Sequence, residues 1–204
     1  TLDDFKKIVS KTKNLKGMNV TIPYKEAIIP HLSKLSKNAK IIGAVNTISI
    51  SKKGILKGYN TDFYGFKKSL KPLLKEHHRK ALILGTGGAS KAVAYALRKL
   101  KMEYDFVSRN PSEYEFSYEE LNQDVFKDYQ IIINTTPIGT YPNVDECPTL
   151  DYSLFTDQHI AYDLVYNPEE TKFLRLAKER GATTKNGYEM LVFQAEKAWA
   201  IWNK

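Results

Sequence analysis

Three short polar segments in the first third of the chain carry side chains that could transfer a proton. They contain Lys25, Asn46 and Asp62, each at a predicted strand end or helix start. Side chains at such positions can converge on a cleft. There, a lysine beside an aspartate can protonate a carbonyl oxygen that becomes an alkoxide. Taken singly, Lys25 also fits a solvated lysine, Asp62 a helix cap and Asn46 a turn residue.

A glycine-rich turn between a buried strand and a helix predicts a dinucleotide site. The turn consists of Gly85, Thr86, Gly87, Gly88 and Ala89. Glycine allows a positive φ and lets a pyrophosphate approach the N–H groups at the start of the helix. The pattern departs from strict G-x-G-x-x-G because Ala92 takes the third position. A purely structural turn is the alternative.

Ser108 and Arg109 follow the next predicted strand, where NAD-binding proteins usually carry an acidic residue for the ribose. A carboxylate there would repel a 2′-phosphate, whereas Arg109 can pair with it and Ser108 can donate its hydroxyl. The sequence therefore predicts NADP(H) as the cofactor. The alternative is that Arg109 is an exposed loop residue.

These segments together resemble the shikimate dehydrogenase family, and the resemblance runs from Gly17 to Gln194. The matching motifs, in chain order, are N-V-T-x-P-x-K at 19–25, G-A-x-N-T at 43–47, G-x-N-T-D at 58–62, N-x-T-x-x-G at 134–139, D-x-x-Y-x-P at 163–168 and G-x-x-M-L-x-x-Q-A at 187–195. So many matches in one order are more specific than any single motif.

The resemblance implies an oxidoreductase that reduces 3-dehydroshikimate reversibly to shikimate with NADPH, in aromatic amino acid biosynthesis. Lys25 and Asp62 would be its acid–base pair. The implied substrate-binding residues are Thr21, Asn46, Thr61, Tyr166 and Gln194. Besides the glycine turn, Ser108 and Arg109, the implied cofactor positions are Asn134, Thr135, Thr136, Val165, Gly187 and Met190. Core packing is the alternative for Met190, and a plain strand end for Thr135.

Three other functions stay open at this point. A quinate/shikimate dehydrogenase would use NAD, which Arg109 disfavours. A methylenetetrahydrofolate dehydrogenase also pairs a lysine with a Rossmann-type domain, but the motifs around Asn46 and Asp62 fit it less well. A non-catalytic dinucleotide-binding domain or fragment would bind cofactor without turnover.

The elements that must position these residues predict an α/β protein. From Lys80 onward, short apolar runs alternate with helical stretches, which is typical of a Rossmann-type doubly wound parallel sheet. Its predicted strands lie at 81–84, 104–107, 131–134, 160–164 and near Thr183, and its helices at 90–101, 118–123 and 168–180. Asn167 is the predicted cap of the last of these helices, with Pro168 at its first helical position and Gly181 just past its end.

Residues 1–62 predict a smaller α/β substrate domain, and a further helix leads from it to Lys80. Helices are expected at 2–10, 25–35 and 63–75, a strand at 18–22, and a hairpin of strands 45–51 and 54–59. A closing helix at 188–202 should pack through Leu191, Val192, Ala195, Ala198, Trp199 and Trp202. The predicted division is 1–62 for the substrate domain, 63–186 for the NADP-binding domain and 187–204 for a helix that returns to the first.

The resemblance also predicts that the substrate domain is incomplete here. The family holds the substrate carboxylate with two serines of an S-x-S motif in an opening β-α-β unit. No such motif precedes Gly17. We therefore expect the family's first segment to lie outside this chain.

Composition narrows the function classes further. The 204 residues include one cysteine and carry a net charge of +8 on dispersed lysines, which favours a solvated basic surface over a nucleic-acid site. No apolar stretch is long enough for a membrane span or a signal peptide. We expect a cytoplasmic monomer or homodimer that has no metal and binds neither nucleic acid nor membrane.

Overall fold

In a computed structural model, the chain forms two β-sheets with helices packed around them. The structure describes residues 2–204, except for the side chains of Asp3 and Lys6. One sheet has four strands and the other six. The predicted class, an α/β protein with a Rossmann-type parallel sheet and a smaller second sheet, is confirmed. Within the described residues, none of the helices has the length and apolar character that crossing a membrane requires.

The smaller sheet has the strand order β1-β3-β4-β2. Its strands are β1 Gly17–Asn19, β2 Lys34–Leu35, β3 Thr47–Ile50 and β4 Leu56–Tyr59, and the helices beside it are α1 Leu2–Lys11 and α2 Lys37–Ile42. The predicted hairpin is confirmed, since β3 and β4 pair antiparallel. The turn between them contains Gly54 at φ +73°, a conformation that glycine adopts without strain.

The helix expected at 25–35 is wrong. These residues form turns, a 3-10 helix at Ile29–His31 and the strand β2. Pro30 lies within the stretch, and a proline inside an α-helix removes a backbone donor and clashes with the preceding turn. The helix instead begins at Lys37, where the Ser36 hydroxyl accepts from the Ala39 amide. The strand expected at 18–22 is shorter, because only Gly17–Asn19 pairs with β3.

The larger sheet is parallel throughout, in the order β10-β9-β8-β5-β6-β7. Its strands are β5 Lys80–Leu84, β6 Glu103–Val107, β7 Glu115–Phe116, β8 Ile131–Asn134, β9 Ile160–Asp163 and β10 Thr183–Lys185. The chain proceeds outward from β5 in one direction and from β8 in the other. The strand order therefore reverses between β5 and β8, and such a switch point opens a crevice at the carboxyl ends of the strands.

Helices cover both faces of this sheet. They are α3 Asp62–Leu70, α4 Gly88–Lys99, α5 Gln123–Asp128, α6 Lys172–Lys178 and α7 Tyr188–Trp202. On one face, Ile83 and Ile133 pack with Phe66 of α3 and Val93 of α4. On the other face, Leu82 packs with side chains that include Phe126 of α5 and Phe173 of α6. The three central strands β5, β8 and β9 are buried on both sides, which explains why their sequences are mostly apolar.

The helix expected at 90–101 lies at Gly88–Lys99, and three other helices differ more from their predicted bounds. The helix expected at 118–123 begins only at Gln123, because Asn122 caps it by accepting from two backbone amides. The helix expected at 168–180 begins at Lys172, and its cap is Thr171 rather than Asn167. The helix expected at 63–75 ends at Leu70 and continues as a 3-10 turn that contains Pro72.

The closing helix α7 has its predicted bounds and contacts both halves of the structure. The Trp202 indole donates to the Ile48 carbonyl of β3 over 2.9 Å. Along its length α7 packs against α3, and Ala198 is fully buried. The expected packing of Trp199 and Ala195 is wrong, since Trp199 is 67% exposed and Ala195 is exposed too.

Gly65 allows α3 and α7 to approach closely, because a Cβ added there would collide with the Met190 carbonyl oxygen. We expect Gly65→Ala to lower the free energy of unfolding by about 1–3 kcal/mol, as overpacking does. The direction of the change in unfolding free energy is informative, because a glycine-to-alanine substitution at an open helix position raises stability by about 1 kcal/mol. Urea unfolding followed by circular dichroism measures it.

A matched control is the reverse change at an exposed site of α7. Ala200→Gly should cost about 1 kcal/mol, the ordinary propensity difference. A Gly65→Ala protein more stable than the parent would contradict the close approach of α3 and α7.

Candidate active site

A cleft of about 550 Å³ lies between the smaller sheet and the carboxyl edge of the larger one. Twelve of the predicted site residues line it: Thr21, Lys25, Asn46, Asp62, Ala89, Thr135, Thr136, Val165, Tyr166, Gly187, Met190 and Gln194. A second cavity of about 370 Å³ lies near Gln130 and His159, at the amino ends of β8 and β9. The first cavity is therefore the one that brings the predicted residues together.

Lys25 and Asp62 form an ion pair in this cleft. The lysine Nζ donates to Asp62 Oδ2 over 2.7 Å, with the two side chains 16% and 9% exposed. Lys25 stands in the loop after β1, and Asp62 is the first residue of α3. A carboxylate at a helix N-terminus is stabilised by the unpaired N–H groups there. The pair thus places an ammonium group at the cleft surface with a fixed partner behind it.

Asn46 connects this pair to the closing helix. Its Nδ2 lies 2.8 Å from Asp62 Oδ1, 2.9 Å from Thr61 Oγ1 and 3.2 Å from Gln194 Oε1, so its two hydrogens are shared among three acceptors. Its Oδ1 accepts from the Thr61 amide over 2.7 Å. Thr61 is buried behind the cleft and does not line it. Asn46 thus holds Asp62 through Oδ1, and Lys25 binds the other carboxylate oxygen, Oδ2.

Two polar residues of this site were not among the predicted ones. Thr47 is fully buried and donates to Asn46 Oδ1 over 3.2 Å, so it helps to orient the Asn46 amide. Asn19 lines the cleft and lies 3.5 Å from the Thr47 hydroxyl. Both stand inside motifs already noted at 19–25 and 43–47, where a polar residue beside a predicted strand was the available signal.

The glycine turn borders the cleft between β5 and α4. Gly85 has φ +96°, and a Cβ on it would lie 2.8 Å from Thr136 Cγ2, so a larger residue would not fit. A Cβ on Gly87 would meet open space. Among the described side chains, none caps α4. The first backbone N–H groups of α4 therefore lack a side-chain cap, which fits a bound pyrophosphate, although Glu26 Oε1 lies 3.6 Å from the position of a Cβ on Gly88.

Ser108 and Arg109 follow β6 at the same edge of the sheet, outside the lining of the cleft. The Ser108 hydroxyl accepts from the Asn110 amide over 3.2 Å, and Arg109 is exposed. The guanidinium lies close enough to Tyr118 to lower its pKa, although burial outweighs this and leaves the pKa of Tyr118 raised. Arg109 is thus an exposed side chain just after β6, the strand that pairs with β5.

A buried polar cluster supports the loop that follows β8. Asn134 lies beneath the cleft surface, where it donates to Asp163 Oδ1 over 3.0 Å and accepts from the Thr136 hydroxyl over 2.6 Å. The Thr135 hydroxyl donates to the Leu84 carbonyl over 2.7 Å. The structure therefore places Thr135 and Thr136 on the cleft and Asn134 under it, as their support.

No group of three or more histidine, cysteine, aspartate or glutamate side chains among the described residues is arranged to hold a metal ion.

The fold and the site together define an α/β oxidoreductase with a nucleotide-type parallel sheet and a lysine–aspartate pair across the cleft from its glycine turn. Residues 1–48 match the family model of the shikimate dehydrogenase substrate binding domain. A shikimate dehydrogenase (NADP(+)) of Carboxydothermus hydrogenoformans is 40% identical over 94% of this chain and 74% of its own length. The chain belongs to the shikimate dehydrogenase family.

Solved structures of a shikimate dehydrogenase and of a quinate dehydrogenase are similar to this chain. Shikimate 5-dehydrogenase from Thermus thermophilus, in complex with NADP(H) and shikimate, matches 98% of this chain and 76% of its own, with a TM-score of 0.84 and 34% identity. Quinate dehydrogenase from Corynebacterium glutamicum, in complex with NAD, matches 98% of this chain and 77% of its own, with a TM-score of 0.87 and 28% identity.

Asp163 gives the site a pH-dependent stability. Burial raises its pKa to about 6, despite donors from Thr171, Val165 and Asn134 that act the other way. The unfolded carboxyl has a pKa of about 3.9. Between these two values the native state keeps a proton that the unfolded state has released, so native stability falls as the pH rises through this window.

We therefore expect the parent protein to lose about 2 kcal/mol of unfolding free energy through this group between pH 4 and 7. Asp163→Asn, which cannot ionise, should lack that loss. Urea unfolding at a series of pH values compares the two slopes. Parallel pH dependences in the two proteins would contradict the raised pKa of Asp163.

Proposed function

We propose that this protein is an NADP-dependent shikimate dehydrogenase that reduces 3-dehydroshikimate reversibly to shikimate in aromatic amino acid biosynthesis. The observation that carries the proposal is the Lys25–Asp62 ion pair in a cleft bordered by the glycine turn. The names of its relatives support it, since the Carboxydothermus protein is a shikimate dehydrogenase (NADP(+)) and the Thermus structure holds NADP(H) and shikimate.

In this proposal, the part of the chain with the smaller sheet binds the substrate and the part with the larger sheet binds the cofactor. Residues 1–62 form the substrate domain and 63–186 the NADP-binding domain, while 187–204 return to the substrate domain. Two contacts of α7 support the last assignment: Gln194 with Asn46 and Trp202 with Ile48. The cleft then receives the substrate from the side of the smaller sheet and the cofactor from the side of the larger sheet.

Lys25 supplies the proton in the reducing direction. The bound dinucleotide supplies hydride to the ketone carbon. The Lys25 ammonium donates its proton to the carbonyl oxygen as negative charge develops there, and this lowers the barrier. Asp62 holds the ammonium in position over 2.7 Å and stabilises its charge before the transfer. In the reverse direction the neutral amine takes the proton from the hydroxyl.

The remaining predicted residues orient the two ligands. Asn46 and Gln194 present amide groups to the cleft and bind ring hydroxyls, with Thr21 beside them and Thr61 fixing Asn46 from behind. Tyr166, which is exposed at the cleft, lies near the substrate carboxylate. Gly187 and Met190 border the nicotinamide together with Val165. The glycine turn and the Asn134–Thr136 loop receive the rest of the dinucleotide.

Arg109 sets the preference for NADP over NAD. It is exposed at the carboxyl edge of β6, next to β5, so its guanidinium can pair with a 2′-phosphate in two parallel hydrogen bonds. Ser108 adds a hydroxyl donor. The use of quinate with NAD is not favoured, because the relatives compared at higher identity are named for shikimate and NADP.

We expect Lys25→Met to reduce kcat by about 10²–10⁴-fold, the usual contribution of a general acid–base group. Asp62→Asn should reduce kcat as well, because it removes the charge that holds the ammonium. Turnover is measured by the absorbance of NADPH with shikimate or 3-dehydroshikimate. Lys34→Met removes an exposed lysine of β2 and should leave kcat unchanged. Full activity of Lys25→Met would refute the assigned role.

We expect Arg109→Ala to weaken NADP+ binding by about tenfold or more, as the loss of a charge-assisted pair does. NAD+ lacks the 2′-phosphate, so its dissociation constant should stay the same. Calorimetric titration with both dinucleotides measures the ratio. Arg175→Ala, a change of another exposed arginine on α6, serves as the control. Equal effects on NADP+ and NAD+ would contradict the role of Arg109.

A further inference from the structure

An ion pair joins the two halves of the structure beside the cleft. Glu26 follows Lys25 directly in the chain, and its Oε2 lies 2.7 Å from the Nζ of Lys91 in the first turns of α4. The two side chains are 49% and 41% exposed. The segment that carries the proposed proton donor is therefore tied to the helix that follows the glycine turn.

The Glu26 carboxylate also lies close to the start of that helix. Its Oε1 is 3.6 Å from the position that a Cβ on Gly88 would take, and Lys25 Cβ is 3.9 Å from the same point. The free N–H groups at a helix start and the aligned peptide dipoles attract an anion. Glu26 thus places a negative charge beside the first residue of α4 and against the ammonium of Lys91.

Under the proposed function, the dinucleotide pyrophosphate occupies this region. A phosphate and the Glu26 carboxylate are both anions, and both would use the same helix start and the same lysine. They cannot be accommodated together without repulsion. One of them must leave when the other binds.

We propose that Glu26 occupies the place of a dinucleotide phosphate in the free protein, and that Lys91 exchanges Glu26 for this phosphate when the cofactor binds. Lys91 is then a cofactor-binding residue, and Glu26 is a competing anion built into the substrate domain. The inference rests on the proposed function, since it requires NADP(H) at the glycine turn. It adds that cofactor binding releases the segment carrying Lys25 from α4.

The strength of the ion pair suits such an exchange. Half-exposed pairs contribute little to stability, because solvent screens them and both side chains lose freedom. Removing the Glu26 charge should therefore tighten binding of NADP+ by about twofold to fivefold. Removing the Lys91 charge should weaken it by about tenfold, as the loss of a charged phosphate contact does.

The test is calorimetric titration of NADP+ into the parent protein, Glu26→Gln, Lys91→Met and the double variant. We expect tighter binding for Glu26→Gln and weaker binding for Lys91→Met. In the double variant the gain from Glu26→Gln should largely vanish, because no lysine remains for the two anions to compete over. A gain that persists in full would show a general charge effect and overturn the exchange.

A matched pair elsewhere provides the control. Lys68 and Glu196 join α3 and α7 over 3.8 Å, with 46% and 63% exposure. Glu196→Gln and Lys68→Met make the same charge changes away from α4 and should leave the affinity for NADP+ unchanged. If the parent protein does not bind NADP+ at all, the proposed function fails. If it binds and Glu26→Gln binds no tighter, only the exchange is refuted.

Discussion

The ion pair of Lys25 and Asp62 is the interaction on which the rest of the site depends. Two charged groups that are mostly removed from water cost free energy unless each finds partners of suitable geometry. Lys25 has the carboxylate 2.7 Å away, and Asp62 has the lysine on one oxygen and Asn46 on the other. Gln194 and Thr61 then satisfy Asn46. The ion pair of Lys25 and Asp62 is therefore held in place by the buried hydrogen bonds of Asn46. Those bonds include one to Gln194 of α7, a helix that also contacts β3.

A second polar cluster fixes the wall of the cleft on the side of the larger sheet. Asp163 accepts from Asn134, Thr171 and Val165, so one buried carboxylate fixes the loop after β8, the start of α6 and the chain after β9. These segments border the cleft at the carboxyl edge of the parallel sheet. In both clusters a carboxylate accepts hydrogen bonds from more than one segment of the chain, which makes the cleft walls rigid where the ligands are expected to bind.

Apolar patterning made most of the fold predictable. The buried strands of the larger sheet and the whole of α7 follow from runs of apolar residues at strand or helix spacing. The errors lie where local chemistry overrides that pattern. Pro30 prevents the helix expected at 25–35, and two helices begin later than expected, after side-chain caps at Asn122 and Thr171. The edge strand β7 has two residues, too few to show any periodicity.

The candidate site was predictable to the extent that its residues stand in motifs. Lys25, Asn46 and Asp62 were recognised in this way, and the structure brings them together. Thr47 was missed because a threonine in a strand gives no sign that its hydroxyl turns toward Asn46. The contact between Glu26 and Lys91 was missed because 65 residues separate them, and no sequence spacing predicts a pair that exists only through tertiary structure.

The contact between Asn46 and Gln194 spans 148 residues. During translation, the entire six-stranded sheet is therefore synthesised between the two partners. The parallel strands and their crossover helices can fold before α7 has been synthesised and can contact the smaller sheet. Until that helix leaves the ribosome, the Asn46 amide lacks one acceptor and β3 lacks the Trp202 indole. A nascent chain halted before α7 would hold the strands of the larger sheet beside an incomplete hydrogen-bond network around Asn46.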